Sequence, residues 1–169
     1  MRCLIFLLYS CVYAADLPPS PVKNPVSLEL DLFGKSYHTN RNYDWNETNP
    51  GAGIGIAYAD SENADLFASF GSYKDSYSKQ AFYGYVGLRG VFGDRDGLHF
   101  TAAIAGGYLN GSGGNGPSII PIISIGYYIA DICAVADPFV NDSTKYSHGE
   151  KTATSKMIAA FLKIRVFTF

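Results

Sequence analysis

After residue 15 the chain has no run of eighteen consecutive apolar residues, so no spanning helix is expected. Charge is scarce: Asp, Glu, Lys and Arg make up 17% of residues, against about a quarter in an ordinary soluble domain. A formal net charge of -2 argues against a nucleic-acid partner. Cysteine is almost absent: of the three, Cys3 and Cys11 sit in the first eleven residues, which leaves Cys133 alone and unable to form an internal disulfide. No His, Cys, Asp or Glu cluster has metal-ligand spacing, and no cofactor motif occurs; neither a metal nor a cofactor is expected. What is abundant is aromatic residues, at 15%, and glycine.

The N-terminus reads as an export signal. Met1-Arg2 leads into a short apolar run from Cys3 to Tyr13, then the small Ala14 and Ala15, then Asp16-Leu17-Pro18-Pro19. A positive end, a short apolar core and small residues at the cleavage point are the marks of a secretory signal peptide. Residues 1–15 are therefore expected to be the signal, 16–25 a proline-rich lead, and 26–169 one domain. Leu8-Tyr9-Ser10-Cys11 as a lipoprotein box is disfavoured by the bulky Tyr9.

Few charges, many aromatics and glycines, and no spanning helix together point to an all-β fold, an eight-stranded antiparallel transmembrane β-barrel. In lipid every backbone donor and acceptor needs an internal partner, and a closed barrel is the only sheet that supplies them. Alternation and turn chemistry give strands at about 26–37, 51–59, 64–73, 80–92, 98–109, 118–127, 129–137 and 156–169. In the first, Leu28, Leu30 and Leu32 alternate with Glu29 and Asp31, which suits a wall between lipid and a filled interior. Asn110 to Pro117 reads as a glycine-rich loop and 138–155 as a long polar one. Loops after odd-numbered strands are mostly longer than the turns after even ones, the asymmetry expected of outer-membrane barrels. A soluble lipocalin-like barrel or sandwich is the alternative, but strands 5 and 6 offer almost no charge for an outward face.

By strand parity, His38, Asp75 and Ser76 fall at one rim. A Ser hydroxyl needs a base, His is the usual one, and a carboxylate can orient the imidazole, so acyl transfer is chemically available there. A Lys-Asp-Ser turn that is only a turn, and a His that is only solvated, fit the same residues. His99 lies on a strand and reads as structural.

Several segments resemble the lipid A palmitoyltransferases, the PagP family. They are Ser36-Tyr37-His38, Trp45-Asn46-Glu47 running to Pro50-Gly51-Ala52-Gly53, Tyr73-Lys74-Asp75-Ser76-Tyr77-Ser78-Lys79, Ile120-Pro121 to Gly126-Tyr127, Pro138, and the Phe167-Thr168-Phe169 terminus. The resemblance implies an outer-membrane enzyme that moves a palmitoyl chain from the sn-1 position of a phospholipid donor to a hydroxyacyl chain of lipid A, the acceptor within lipopolysaccharide. It implies that His38 and Ser76 are the acyl-transfer pair, with Asp75 as orienting or electrostatic partner. It implies that Gly87 floors the acyl pocket, where a missing side chain leaves depth, and that Pro121 and Pro138 open a lateral path for lipid, since proline cannot donate to a ladder; a Gly87 that only relieves crowding in a narrow barrel and a Pro138 that only ends strand 7 fit the same residues. A monomer is expected. The chain departs from the family in lacking an amphipathic helix before the barrel, in a shorter segment between His38 and Trp45, in a longer loop after Pro138, and in Arg165 near the terminus. A non-enzymatic small barrel (adhesion, surface binding or membrane integrity) and a lipid A deacylase or phospholipase stay open.

Overall fold

A computed structural model describes residues 22–39, 44–111, 114–136, 139–140 and 157–169. Its strands are β1 (Val26–His38), β2 (Thr48–Ser61), β3 (Ala64–Lys74), β4 (Gln80–Gly93), β5 (Leu98–Gly111), β6 (Gly114–Tyr127), β7 (Ala130–Ala136), β8 (Phe139–Val140) and β9 (Met157–Thr168). Each long strand pairs antiparallel with the next, and β9 pairs with β1, which closes the sheet. β7 and β8 both pair with β6 and fill one wall position between them, so the wall is an eight-strand barrel.

The alternation along each strand decides which side of the wall a residue takes. On β1, Leu28 and Leu32 are exposed while Glu29 and Asp31 are buried. On β4, Phe82, Val86, Leu88 and Phe92 point out, and Ala81, Tyr83, Tyr85 and Val91 point in. On β6, Ile119, Ile123 and Ile125 are exposed and Ile120 and Ile122 buried. The large aliphatic side chains thus form the outer face, and the buried charges form the inner one.

Inside, one region is ionic. Lys163 Nζ lies 2.7 Å from Asp31 Oδ1 and 2.9 Å from Glu29 Oε2. Arg89 contacts Glu29 and Asp65, each at 2.7 Å, and Arg95 reaches Asp65 at 2.7 Å. Three carboxylates meet three bases, so this part of the lumen is neutral. Asp31 Oδ2 also accepts from the hydroxyls of Ser69, at 2.7 Å, and of Tyr83 and Tyr85, at 3.3 and 3.4 Å. Toward the His38 end the filling turns aromatic. Phe33 stacks on Tyr73 and Phe161, with centroids 5.2 and 5.1 Å apart, and meets Tyr83 edge-on at 5.2 Å.

Several boundaries differ from the expectation; β2, expected over about 51–59, runs Thr48–Ser61. The glycine-rich stretch from Asn110 to Pro117 is largely paired strand: Gly111↔Gly114, Asn110↔Asn115, Leu109↔Gly116 and Tyr108↔Pro117 continue the β5–β6 ladder. Side-chain pattern is not needed for a ladder that a neighbouring strand already templates, and the Tyr108 hydroxyl fixes the register by donating to Asn115 Oδ1 at 2.9 Å. The seventh strand, expected over 129–137, runs Ala130–Ala136 as one piece, and a second short strand, Phe139–Val140, follows in the stretch expected to be loop. The β6 ladder passes from Ile122↔Val135 to Ile119↔Phe139, three residues along β6 against four along its neighbour. The other rim carries the tight turns, at 62–63, 94–97 and 128–129.

Removing one partner of a buried ion pair leaves the other charge uncompensated, which costs about 3–5 kcal/mol. Asp31→Ala is therefore expected to lower urea stability of the refolded barrel by that order, whereas Asp31→Leu with Lys163→Met recovers most of the loss. Equal stability of Asp31→Ala and the parent protein would contradict the ionic lumen.

Candidate functional site

Asp75 and Ser76 lie in the β3–β4 connection. Asp75 Oδ1 accepts the backbone N–H groups of Tyr77 and Lys79, both at 2.9 Å. The Asp75 carbonyl accepts from Ser78 N–H at 3.0 Å, and Asp75 N–H donates to the Lys79 carbonyl at 2.7 Å. With Ser78 at φ 63°, the chain reverses tightly, and the Asp75 carboxylate is the side-chain acceptor on which that reversal closes.

His38 ends β1 and is buried. Its backbone N–H donates to Glu47 Oε1 at 3.1 Å, and the same oxygen stands 3.9 Å from the ring Nδ1. The imidazole lies flat on Trp45, with centroids 4.5 Å apart and planes 9° apart, and Trp45 meets Tyr77 edge-on at 5.3 Å. Asn46 completes the link: its N–H donates to the Ser76 carbonyl at 2.9 Å and its side-chain amide to the Asp75 carbonyl at 2.9 Å.

The segment Trp45-Asn46-Glu47 therefore ties the end of β1 to the β3–β4 turn, and His38, Asp75 and Ser76 gather at one rim. Met157 joins them from β9. It pairs with His38 in the β1–β9 ladder, and its Sδ lies 3.8 Å from Ser76 Oγ. A thioether is a weak acceptor, so it holds the hydroxyl only loosely. The carboxylate seen beside the imidazole is Glu47. Residue-type reasoning did not single it out for chemistry; its signal was its place in the Trp45-Asn46-Glu47 segment.

Gly87 points into the lumen from β4. A Cβ there would stand 2.5 Å from the Ile104 carbonyl oxygen and 2.8 Å from Phe67 Cζ, so the open side of Gly87 is taken up by the Phe67 ring. Pro121 pairs with Ile104 on β5, and the register change between β6 and its other neighbour falls across it. Pro138 lies outside the described residues, as do the proposed signal at 1–15 and most of the 138–155 loop.

A second polar cluster occupies the opposite rim. His99 donates from Nδ1 to the Gly97 carbonyl at 3.0 Å, and its Nε2 is 2.8 Å from Asp131 Oδ1. Ser124 Oγ donates to the same carboxylate at 3.4 Å and lies 2.7 Å from Thr101 Oγ1. The hydroxyl meets the carboxylate and not the imidazole, so the arrangement staples β5, β6 and β7 and offers no activated nucleophile. Among the described residues no three His, Cys, Asp or Glu side chains could hold a metal ion. Compared with known proteins, the chain matches no family model and no curated protein.

If the Asp75 carboxylate works chiefly as the turn acceptor, its hydrogen bonds to two amides set the cost of losing it. Asp75→Ala is expected to lower barrel stability by about 1–3 kcal/mol, and Asp75→Asn, which keeps an acceptor oxygen, by less than half of that. Chemical denaturation of the three proteins measures this; an Asn variant as unstable as the Ala variant would show that charge, not acceptance, holds the turn.

Proposed function

We propose that the protein is an outer-membrane acyltransferase that moves a palmitoyl-type chain from a phospholipid to lipid A, with His38 and Ser76 as the acyl-transfer pair. The observation that carries the reading is the convergence of His38, from the end of β1, with Asp75 and Ser76, from the β3–β4 connection, on one rim of a barrel whose outer wall is apolar.

The wall supports the membrane half of the reading. On β4 the exposed aromatics Phe82 and Phe92 are ten residues apart, with Val86 and Leu88 exposed between them. Ten residues of strand rise about 33 Å, and a tilt of about 45° reduces this to roughly 23 Å, close to the apolar band of about 25 Å on membrane barrels. Leu98, Phe100 and Tyr127 add apolar and aromatic surface at the tight-turn end.

In the proposed chemistry, Ser76 Oγ attacks the sn-1 ester carbonyl and gives its proton to His38. The ester C–O bond breaks, and the departing lysophospholipid oxygen takes the proton from His38. A lipid A hydroxyl then attacks the acyl-serine and passes its proton through His38 back to Ser76 Oγ. Glu47 stands 3.9 Å from the imidazole Nδ1 as its carboxylate neighbour, and Asp75 fixes the turn that carries Ser76. Pro121, which lies where the β6 ladder shifts register, would leave the wall locally unpaired so that lipid enters sideways.

A second reading has its own support. Phe33, Tyr73, Tyr83 and Phe161 pack across the lumen beneath the rim, and the ionic cluster fills more of it. A barrel filled in this way suits a non-enzymatic surface or membrane-integrity role. A hydrolase is the third outcome, with water in place of the lipid A hydroxyl.

Mass spectrometry of lipid A after incubation with phospholipid and the refolded protein separates the three. The acyltransferase predicts one added acyl chain, lost with Ser76→Ala and reduced at least about a hundredfold with His38→Ala. Free fatty acid or a lost chain would mean hydrolysis. Unchanged lipid A from demonstrably folded protein would leave the non-enzymatic barrel.

A further inference from the structure

The bases of the described chain fall into two groups. Arg89, Arg95, Lys163 and Arg165 each face a carboxylate. Lys35, Lys74 and Lys79 are exposed, and no ion pair joins them to a carboxylate among the described residues. All three lie on the β1–β4 side of the His38 rim. Lys23, also exposed, lies at the opposite end.

The register brings Lys35 and Lys74 to either side of β2. Lys35 pairs with Thr48, and Lys74 sits one residue beyond the Gly51↔Tyr73 pair, beside Pro50. Two strand spacings and a two-residue offset put their Cα atoms roughly 12 Å apart, and each lysine stem spans about 6 Å. Both point outward, because Ser36, His38 and Tyr73 on the same strands turn in. Two ammonium groups can therefore meet over Thr48 and Pro50. Lys79 closes the same turn that follows Lys74.

Among the described residues, the acids of this rim do not neutralise the edge. Asp75 accepts from turn amides, and Glu47 from His38 N–H; of the described acids only Asp44 is exposed nearby. At the opposite rim the balance reverses, with Asp60, Glu62, Asp94 and Asp96 exposed. Below the lysines the outer wall is apolar, with Ile54, Phe70 and Phe82 exposed. An anion that docks here is thus held between a basic rim and a lipid-facing wall.

We propose that Lys35, Lys74 and Lys79 form a docking edge for the phosphate groups of membrane lipids, with Lys35 and Lys74 gripping one phosphate across β2. The proposal rests on the membrane reading above, and it names the part of a phosphorylated lipid that the rim would hold. Ammonium–phosphate contacts are charge-assisted and favour an unshielded phosphate over one already paired with choline.

The test places the full refolded chain in nanodiscs of phosphatidylcholine with graded phosphatidic acid of the same acyl chains. Native mass spectrometry then counts the lipids retained. The docking edge predicts preferential retention of phosphatidic acid, a loss of about fivefold per lysine replaced by Gln, and no loss with Lys23→Gln. Equal retention of the two lipids, or a preference that survives Lys35→Gln/Lys74→Gln/Lys79→Gln, would overturn it. So would a loss with Lys23→Gln as large as with the rim lysines, or displacement by millimolar inorganic phosphate, which would mean a site for the free ion. Acyl transfer measured on the same protein in nanodiscs that also carry lipid A reads separately: phosphatidic-acid preference without transfer keeps the edge and removes the acyltransferase.

Discussion

The constraint on which the barrel depends is neutralisation of the charges inside it. Glu29, Asp31 and Asp65 are buried within a wall whose outer face is apolar, so they have no route to water through the wall. Their stability rests on Lys163, Arg89 and Arg95, drawn from β9, β4 and the turn after β4. Lys163 ties the last strand to the first through charge, so the ionic cluster and the closing β1–β9 ladder support each other. A one-residue slip in β1 would send Glu29 and Asp31 outward and Leu28 and Leu32 inward. The register is therefore fixed twice, by hydrogen bonds and by charge.

Much of this was legible in the sequence. Leucines alternating with Glu29 and Asp31 can only be a wall with a polar inside, and the strand parity already put His38, Asp75 and Ser76 at one end. The rest was hidden for physical reasons. Asn110 to Pro117 carries no side-chain alternation, yet it pairs, because ladders are made by backbone groups and β5 supplies the template. The partners of Asp31 come from positions as distant as Lys163, and no local pattern records a contact across 132 residues. Glu47 was visible only as part of a segment, since its closeness to His38 depends on how the chain between β1 and β2 returns. Gly87 shows the same limit: an absent side chain says that something comes close, but not that the neighbour is Phe67.

The rim and the lumen pull the functional reading in different directions. Trp45, Asn46 and Glu47 hold the histidine, aspartate and serine in one assembly, which is more organisation than unrelated loop residues need. Beneath them, the aromatic layer around Phe33 leaves a chain entering from the rim facing packed rings. An acyltransferase built this way must either hold its chain above that layer or move it. The lysines on the outer edge would bring a phosphorylated lipid to the same quadrant as the histidine and serine.

All of these readings stand on the outer wall facing lipid. The most direct measurement is electron paramagnetic resonance of nitroxides attached at Val86, Ile104 and Ile123, one at a time, in barrel refolded into bilayers with Cys133→Ala. The account predicts high accessibility to oxygen and low accessibility to a water-soluble nickel complex at all three, as lipid-buried sites give. Ready collision with the nickel complex at these positions would mean the wall faces water, and the membrane account would be wrong.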